Sequence, residues 1–319
     1  MYSPKKLVYF LTFVFLFLSF QGDIFADDQE GVIFQYNGKE WNKTEFQPKD
    51  ILWSIWGSDS NNIFAVGRRG AIVYYDGNIW REMKSGTVNE LEAVWGTSSK
   101  NVFAVGADGT ILHYDGKTWS NMIMGVGEHL YGIWGSSSND IFVVGFRGVI
   151  LHYDGETWIS MESPTQKSLY DVWGSGPNNV FAVGQGGVIL HYDGKDWKHI
   201  ESGTEKLLNG IWGTDFNNIF AVGSHGTILH YDGNHWEHMD SGYTFALRRV
   251  WGYDQKNVYA IGTEGILHYN GKDWNFLGHP PSEDWSDVWA SSPDNVIVVG
   301  AKNPLWLKWL ERIFLEKKK

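Results

Sequence analysis

A tripeptide of Val or Ile followed by Trp and Gly returns along the chain at an almost constant interval, and this repeat constrains the fold more than any other feature. Six copies are spaced 39 residues apart, and a related Val-Trp-Ala follows after 38 residues. A second marker, Asp or Asn followed by Gly, two variable residues and Trp, occurs seven times. Together the markers hold fourteen of the 18 tryptophans: Trp41, Trp56, Trp80, Trp95, Trp119, Trp134, Trp158, Trp173, Trp197, Trp212, Trp236, Trp251, Trp274 and Trp289. A period near 40 residues is typical of chains that stack copies of one structural unit.

Each unit is predicted to contain four short strands. In the third unit, apolar and β-branched runs at Leu130–Trp134, Ile141–Val144, Gly148–Tyr153 and Thr157–Met161 are separated by residues that favour turns. No run inside the units keeps the apolar period of about 3.6 residues that a helical repeat requires. Four strands in roughly 40 residues predict the blade of a β-propeller.

The two ends of the array predict that the ring closes. Residues 31–41 match only the second half of a unit, and residues 288–300 match only the first half. Two half-units form one blade when the ends of the chain meet, and the joined blade leaves no exposed sheet edge. The predicted fold is therefore all-β, a seven-bladed β-propeller with four-stranded blades of about 39 residues, whose seventh blade is closed by N- and C-terminal halves.

At these markers the sequence resembles bacterial exported β-propeller proteins with BNR, or Asp-box-like, repeats, and the wider group of WD-repeat-like propellers. The match covers about residues 29–300 and is carried by units such as His113-Tyr114-Asp115-Gly116 before Lys-Thr-Trp. The resemblance implies a rigid ring that binds something at its top face or central channel. The turn has one residue fewer than the Asp-box of sialidases, and no matching arginine cluster is present, so the resemblance implies a fold rather than sialidase activity.

The segments outside the repeat predict three domains. Lys5 and Lys6 precede an apolar run at 7–20, which predicts a signal peptide over residues 1–26, with an uncleaved anchor as the alternative. The propeller is assigned to residues 27–300. Residues 301–319 form a predicted amphipathic tail, because Asn303-Pro304 is a helix-start signal before an apolar face. This tail is expected to pack on the propeller, to dock on a partner or membrane surface, or to compete as a strand at Leu305–Leu310 for the seventh blade.

Charge and composition limit the partners of the chain. The formal net charge is −11, which disfavours nucleic acid and anionic membrane surfaces as partners of the folded body. Cysteine is absent from the sequence, so disulfides, thiolate metal sites and cysteine nucleophiles are excluded. The protein is expected to be secreted or periplasmic and monomeric, with membrane contact only through the tail.

Columns of the repeat that hardly change are interpreted as structural. The two tryptophan columns are expected to fill the space between blades. A histidine column is expected to hydrogen-bond to a nearby turn rather than bind metal, because equivalent atoms of neighbouring blades lie too far apart to share one ion. Its members are His113, His152, His191, His230 and His268, with Gln35 and Tyr74 in the remaining units.

Three other columns differ from unit to unit and predict a ligand site. The first reads Trp53, Glu92, Tyr131, Tyr170, Asn209, Arg248 and Ser286; the second, one residue later, reads Ser54, Ala93, Gly132, Asp171, Gly210, Arg249 and Asp287. The third is a variable pair in the loop between the second and third strands. These columns should converge at one mouth of the channel, where packing alone would make equivalent positions alike. The predicted ligand-binding residues are Trp53, Arg68, Glu92, Tyr131, Arg147, Tyr170, Asn209, His225 and Arg248.

The predicted ligand is a glycan or a protein, because aromatic faces beside a few directional polar groups suit a sugar ring or an extended peptide. No catalytic residue, metal site or cofactor is assigned. One alternative is a glycoside hydrolase or lyase that uses carboxylates at the same mouth, drawn from Glu92, Asp108, Asp171, Glu264 and Asp287. A second alternative is a purely structural interaction scaffold.

Overall fold

We describe the protein from a computed structural model, which describes residues 29–122, 125, 127–278 and 283–302. The predicted signal peptide at 1–26 and residues 303–319 of the predicted tail lie outside the described residues, so both assignments stay predictions. Within the described ranges, no helix is long and apolar enough to cross a membrane.

The described residues form 28 strands, arranged as seven four-stranded antiparallel sheets. The strands of the half-blade and of blades 1 to 3 are β1 (Gly31–Tyr36), β2 (Trp41–Lys43), β3 (Leu52–Asp59), β4 (Asn62–Gly67), β5 (Ile72–Tyr75), β6 (Trp80–Met83), β7 (Leu91–Ser98), β8 (Asn101–Gly106), β9 (Ile111–Tyr114), β10 (Trp119–Asn121), β11 (Leu130–Ser137), β12 (Asp140–Gly145), β13 (Ile150–Tyr153) and β14 (Trp158–Ser160). The remaining strands are β15 (Leu169–Gly176), β16 (Asn179–Gly184), β17 (Ile189–Tyr192), β18 (Trp197–Ile200), β19 (Leu208–Asp215), β20 (Asn218–Gly223), β21 (Ile228–Tyr231), β22 (Trp236–His238), β23 (Leu247–Asp254), β24 (Asn257–Gly262), β25 (Gly265–Tyr269), β26 (Trp274–Gly278), β27 (Glu283–Ser292) and β28 (Asn295–Lys302).

The ring closes through both ends of the array, as the half-units predict. The seventh sheet has the strand order β2-β1-β28-β27, and β1 pairs antiparallel with β28 from Gly31↔Ala301 to Tyr36↔Val296. The first strand of each blade faces the axis, because successive first strands contact one another around the ring and β27 returns to β3. The seven-bladed all-β propeller is therefore confirmed.

The first tryptophan column packs against the glycine of the next blade. A Cβ added to Gly174 would lie 2.6 Å from the ring of Trp134, and one added to Gly57 would lie 2.7 Å from the ring of Trp289. Glycine follows tryptophan in six of the seven markers because a larger side chain at this distance would press against the neighbouring indole, and in the seventh blade Ala290 takes this position in the cluster on which Trp251 packs. The predicted role of this column in filling the space between blades is confirmed.

The second tryptophan column reaches the preceding blade from its outer strand. Trp197 meets Phe142 edge-on, with ring centroids 6.0 Å apart at 79°, and Trp274 meets Phe220 at 5.9 Å and 86°. The aspartates of the turns before these tryptophans accept backbone hydrogen bonds two and three residues ahead, as Asp115 does from Lys117 and Thr118, whose backbone N–H groups each lie at 2.8 Å. These marker positions thus serve the turn and the interface between blades.

The histidine column fastens the third strand of a blade to the start of its second strand. His113 Nε2 donates to Asn101 Oδ1 at 2.6 Å, and in the seventh blade Gln35 Nε2 donates to Asn295 Oδ1 at 2.7 Å. The same contact is made by His152, His191, His230, His268 and Tyr74. The predicted hydrogen bond to a nearby turn is confirmed.

This column is expected to make the fold sensitive to acid. Burial lowers the pKa of His113, His191, His230 and His268 below the ordinary value of 6.5. As the pH falls, these histidines are protonated at a higher pH in the unfolded chain than in the folded chain. The stability that the neutral histidines contribute above pH 6.5 is therefore lost on acidification. Replacing all four by Gln, the residue of the seventh blade, should make the melting temperature fall less between pH 7.5 and about pH 5, within the titration range of histidine.

The control for this experiment is His238→Gln, because His238 is an exposed histidine outside the column. Thermal melts of the three proteins across the pH series compare the slopes directly. Carboxyl groups titrate in all three chains and cancel in the comparison. Equal slopes for the fourfold variant and the control would contradict the prediction.

Candidate functional site

A β-bulge marks the innermost strand of every blade and coincides with the first variable column. In blade 1, Leu52 pairs with Gly67 and Ser54 with Val66, so that Trp53 has no partner in the register. The equivalent unpaired residues are Glu92, Tyr131, Tyr170, Asn209, Arg248 and Ser286. A bulge re-aims its side chain and breaks the ladder, which frees this one column from the requirements of sheet packing.

Five of the nine predicted ligand residues line one cavity at the mouth of the channel. Its volume is about 480 Å³, and it contains Trp53, Glu92, Tyr170, Asn209 and Arg248. The rest of the lining is Gln29, Ile51, Ala246, Arg249, Thr263, Asp284, Ser286 and Ala301. We call this space the mouth cavity.

Tyr131 stands beside the mouth cavity and extends its aromatic wall. Its ring lies 5.3 Å from the ring of Tyr170 at an angle of 37°, and the ring of His129 stacks against it at 6.3 Å. Tyr131 and Tyr170 belong to neighbouring innermost strands, so the pair forms where β11 and β15 approach each other at the mouth.

The three remaining predicted residues lie in the loops between the second and third strands and do not line the mouth cavity. Arg68, Arg147 and His225 belong to short 3-10 turns. Arg147 and His225 are exposed. Arg147 and His225 have φ angles of 53° and 58°, a conformation that L side chains seldom adopt. The guanidinium of Arg147 covers the ring of Phe146 at 5.2 Å.

Two of the polar groups at the mouth also join blades. Arg248 Nη1 donates to Asp284 Oδ1 and to the carbonyl of Trp285, each at 2.7 Å, across the boundary between blades 6 and 7. Asn209 Nδ2 donates to the carbonyl of Leu247 at 2.8 Å. One of the two side-chain N–H groups of Asn209 is therefore engaged, and its acceptor oxygen has no hydrogen-bond donor among the described residues.

The second variable column holds neighbouring blades together inside the channel. Asp287 Oδ2 accepts the amide of Ile55 at 3.0 Å, and Asp171 Oδ2 accepts the amide of Ile211 at 3.0 Å. The innermost strands of adjacent blades are not paired with each other, so these carboxylates satisfy amides that would otherwise face the channel. The residues surround a second cavity of about 230 Å³, which we call the channel cavity.

Arg249 is the cation of the channel and was not among the predicted ligand residues. It lines both cavities, and its Nη1 donates to the carbonyl of Asn209 at 2.8 Å. Burial raises the pKa of Asp287 to about 6 and that of Asp171 above its ordinary value, while the charge of Arg249 opposes both shifts. The sequence feature that could have identified Arg249, Asp171 and Asp287 is the second variable column, where Asp and Arg replace the small residues of other blades.

The carboxylates considered for glycoside hydrolysis occupy different surroundings. Asp108 and Glu264 are exposed in loops, Glu92 lines the mouth cavity, and Asp171 and Asp287 lie in the channel cavity bound to backbone amides. Over the described part of the chain, no three His, Asp or Glu side chains are grouped so that they could hold a metal ion.

Comparison with known proteins supports the fold. No protein-family model matches the sequence, and no curated protein matches it, so the resemblance to BNR-repeat proteins stays a prediction. YCF48 from Cyanidioschyzon merolae is similar with a TM-score of 0.63 and 15% identity, over 78% of this chain and 95% of that chain.

Two further solved structures show the same architecture. YCF48 bound to D1 peptide is similar with a TM-score of 0.63 and 16% identity, over 80% of this chain and 94% of that chain. The WD40 β-propeller domain of Doa1 has a TM-score of 0.66 and 11% identity, over 80% of this chain and 94% of that chain. At these identities, the feature that is shared with the present chain is the fold.

Proposed function

We propose that this protein is a binding module that takes a segment of a polypeptide partner at the mouth cavity. The observation that carries the proposal is the loss of sevenfold likeness at the bulges, where seven equivalent positions hold different side chains around one space of about 480 Å³. A site for one asymmetric ligand requires such differences, whereas packing favours equivalence.

The chemistry of the mouth cavity supports a polypeptide as the ligand. Trp53 and Tyr170 offer half-buried aromatic faces, and the acceptor oxygen of Asn209 lies in the same lining. Rigid aromatic side chains beside adaptable hydrogen-bonding groups are the usual composition of peptide-binding surfaces. The structural neighbour YCF48 has also been solved bound to D1 peptide, which supports the same ligand class for this fold.

Substitution of the aromatic wall is expected to weaken binding without unfolding the ring. Random peptide libraries displayed on phage would be panned against the protein, and enriched peptides would be titrated by calorimetry. Trp53→Ala and Tyr170→Ala should each weaken binding by tenfold or more, since buried aromatic anchors contribute about 2 kcal/mol or more at such sites.

Phe146→Ala is the matched control, because Phe146 is an aromatic residue that is 39% exposed and does not line the mouth cavity. Its affinity for the same peptides should equal that of the unsubstituted protein. Peptides whose binding survives both wall substitutions would place the site elsewhere on the ring. A glycan array is run in parallel. If only glycans bind, and if their binding requires Trp53, the ligand is a sugar rather than a polypeptide.

A further inference from the structure

Glu92 is a half-buried carboxylate that has no hydrogen-bond partner within the described part of the chain. It stands at the bulge of β7, lines the mouth cavity, and accepts no hydrogen bond from any residue for which the structure gives a position. Burial raises the pKa of this carboxyl, although the charges of Arg249 and His129 oppose the shift. A desolvated carboxylate in this state is stabilised when a ligand supplies a counter-charge with hydrogen-bond donors.

The other carboxylates of the two cavities are already engaged. Asp284 receives the guanidinium of Arg248 at 2.7 Å. Asp171 accepts the amides of Ile211 and its own neighbour Val172, at 3.0 and 2.9 Å. Asp287 is held in the same way by Ile55 and Val288, at 3.0 and 2.8 Å. Glu92 is therefore the carboxylate of this set that is available to a ligand.

Both arginines of the cavities already donate hydrogen bonds within the ring through one terminal nitrogen. Arg248 uses Nη1 for Asp284 and the Trp285 carbonyl, and Arg249 uses Nη1 for the Asn209 and Arg248 carbonyls. The cavity linings hold four carboxylates, including Asp171 and Asp287, and two arginines. The mouth cavity alone holds two of each, with Asp284 and Arg248 paired to each other, so the preference for a cation rests on Glu92 and on the formal net charge of −11.

Aromatic rings and a free acceptor surround the Glu92 carboxylate. Tyr170 and Trp53 share its cavity, and Tyr131 lies against Tyr170 at 5.3 Å. Asn209 also belongs to the lining, and its side-chain nitrogen donates to the Leu247 carbonyl. Aromatic faces attract cations through the ring quadrupole, most strongly where water is excluded.

We propose that the mouth cavity recognises an arginine side chain of the polypeptide partner, with Glu92 as its counter-charge. The proposal rests on the polypeptide-binding function proposed above and names the side chain that this function selects. A guanidinium is planar, stacks on aromatic rings and donates two parallel hydrogen bonds to one carboxylate, and its remaining N–H groups suit an amide oxygen. The ammonium of lysine matches the carboxylate but not the flat aromatic wall.

The test uses short blocked peptides and the full chain. Acetyl-Gly-Ser-Arg-Ser-Gly-amide is titrated into protein with isotope-labelled tryptophan, and the indole N–H signal of Trp53 is identified with Trp53→Phe. The same peptide with citrulline in place of arginine keeps the planar shape, but it lacks the charge and has a carbonyl oxygen in place of one terminal nitrogen of the guanidinium. The arginine peptide should bind about tenfold or more tightly than the citrulline peptide, as expected for a charge-assisted pair that is partly shielded from water.

Glu92→Gln is expected to abolish this preference while leaving the weak binding of the citrulline peptide unchanged. Glu264→Gln removes one exposed carboxylate of the loops between the second and third strands, outside the mouth cavity, and should leave the preference intact. The glutamine at position 92 retains the size of the side chain and removes a buried charge, so the fold should tolerate it. A melting curve of each variant verifies this.

The outcomes separate the arginine site from polypeptide binding in general. Equal affinity for the arginine and citrulline peptides, no saturable shift with the arginine peptide, or tighter binding of the lysine analogue would each overturn the arginine site. Panned peptides that need Trp53 and Tyr170 but bind Glu92→Gln unchanged would retain polypeptide binding and reject the arginine site. An arginine preference that needs Glu92, without any panned partner at the mouth, would retain the site and reject the broader function.

Discussion

Removal of residues 27–48 is expected to unfold the entire ring rather than fray one end. The deletion takes away β1 and β2, including Val32, Ile33 and Phe34, whose side chains are at most 4% exposed. Phe34 also meets Trp285 edge-on at 5.4 Å. The free energy of unfolding should fall by more than about 5 kcal/mol, which approaches the whole stability of many domains. Urea titration followed by tryptophan fluorescence measures the loss.

The control returns the same residues at the other end of the chain. Lys302 and Glu30 are adjacent, since the Lys302 amide donates to the Glu30 carbonyl at 2.9 Å. A permuted chain that begins at residue 49 and joins Lys302 through a short glycine linker to residues 29–48 should recover most of the stability. A truncated protein with an unchanged urea midpoint would contradict the closure by β1 and would indicate that Leu305–Leu310 takes its place.

Trp134→Ala is expected to cost about 3–5 kcal/mol of unfolding free energy, as large core aromatics do. Trp134 fills the boundary between blades 3 and 4, where it stacks on Phe142 at 6.5 Å and lies against Gly174. Removal of the indole leaves a cavity that rigid strands on both sides cannot close. Chemical denaturation of the variant and of the unsubstituted protein gives the difference directly.

Trp53→Ala is the matched comparison, because it removes the same side chain from the bulge of β3. Trp53 lines the mouth cavity and belongs to none of the buried hydrophobic clusters found in the described ranges. Its loss should cost less than about 1 kcal/mol, within the range of partly exposed substitutions. Comparable costs for both variants would show that Trp53 is a packing residue and would remove the aromatic anchor from the proposed site.

The fold could be predicted from the sequence because every blade meets the same packing problem. The tryptophan of the first marker and the glycine after it recur, since each indole must fit against the next blade, as Trp134 does against Gly174. The phase shift of the two terminal half-units likewise predicted that β1 would pair with β28. Repetition of this kind turns contacts between distant residues into a pattern that is visible along the chain.

The candidate site could be predicted only in part. The variable column identified Trp53, Glu92, Tyr170, Asn209 and Arg248, all of which line the mouth cavity. Arg68, Arg147 and His225 lie in short turns outside the lining, and Arg147 and His225 have positive φ angles that the sequence alone does not reveal. Arg249 was missed because its importance depends on the carboxylates of three other blades, and a single column cannot show which of them it faces.

The repeat alone is sufficient to establish the number of blades, their strand order and the closure of the ring, because these properties follow from local chemistry copied seven times. The assignment of polar side chains to structure or to a ligand required the assembled ring. The Ile55 amide donates to the Asp287 carboxylate across 232 residues of sequence. This contact gives Asp287 a structural role, whereas the sequence shows only that its position varies between blades. Glu92 has no such partner among the residues that the structure places. The bulges bring seven different side chains around the channel axis, and the distances between them are set only when the ring closes.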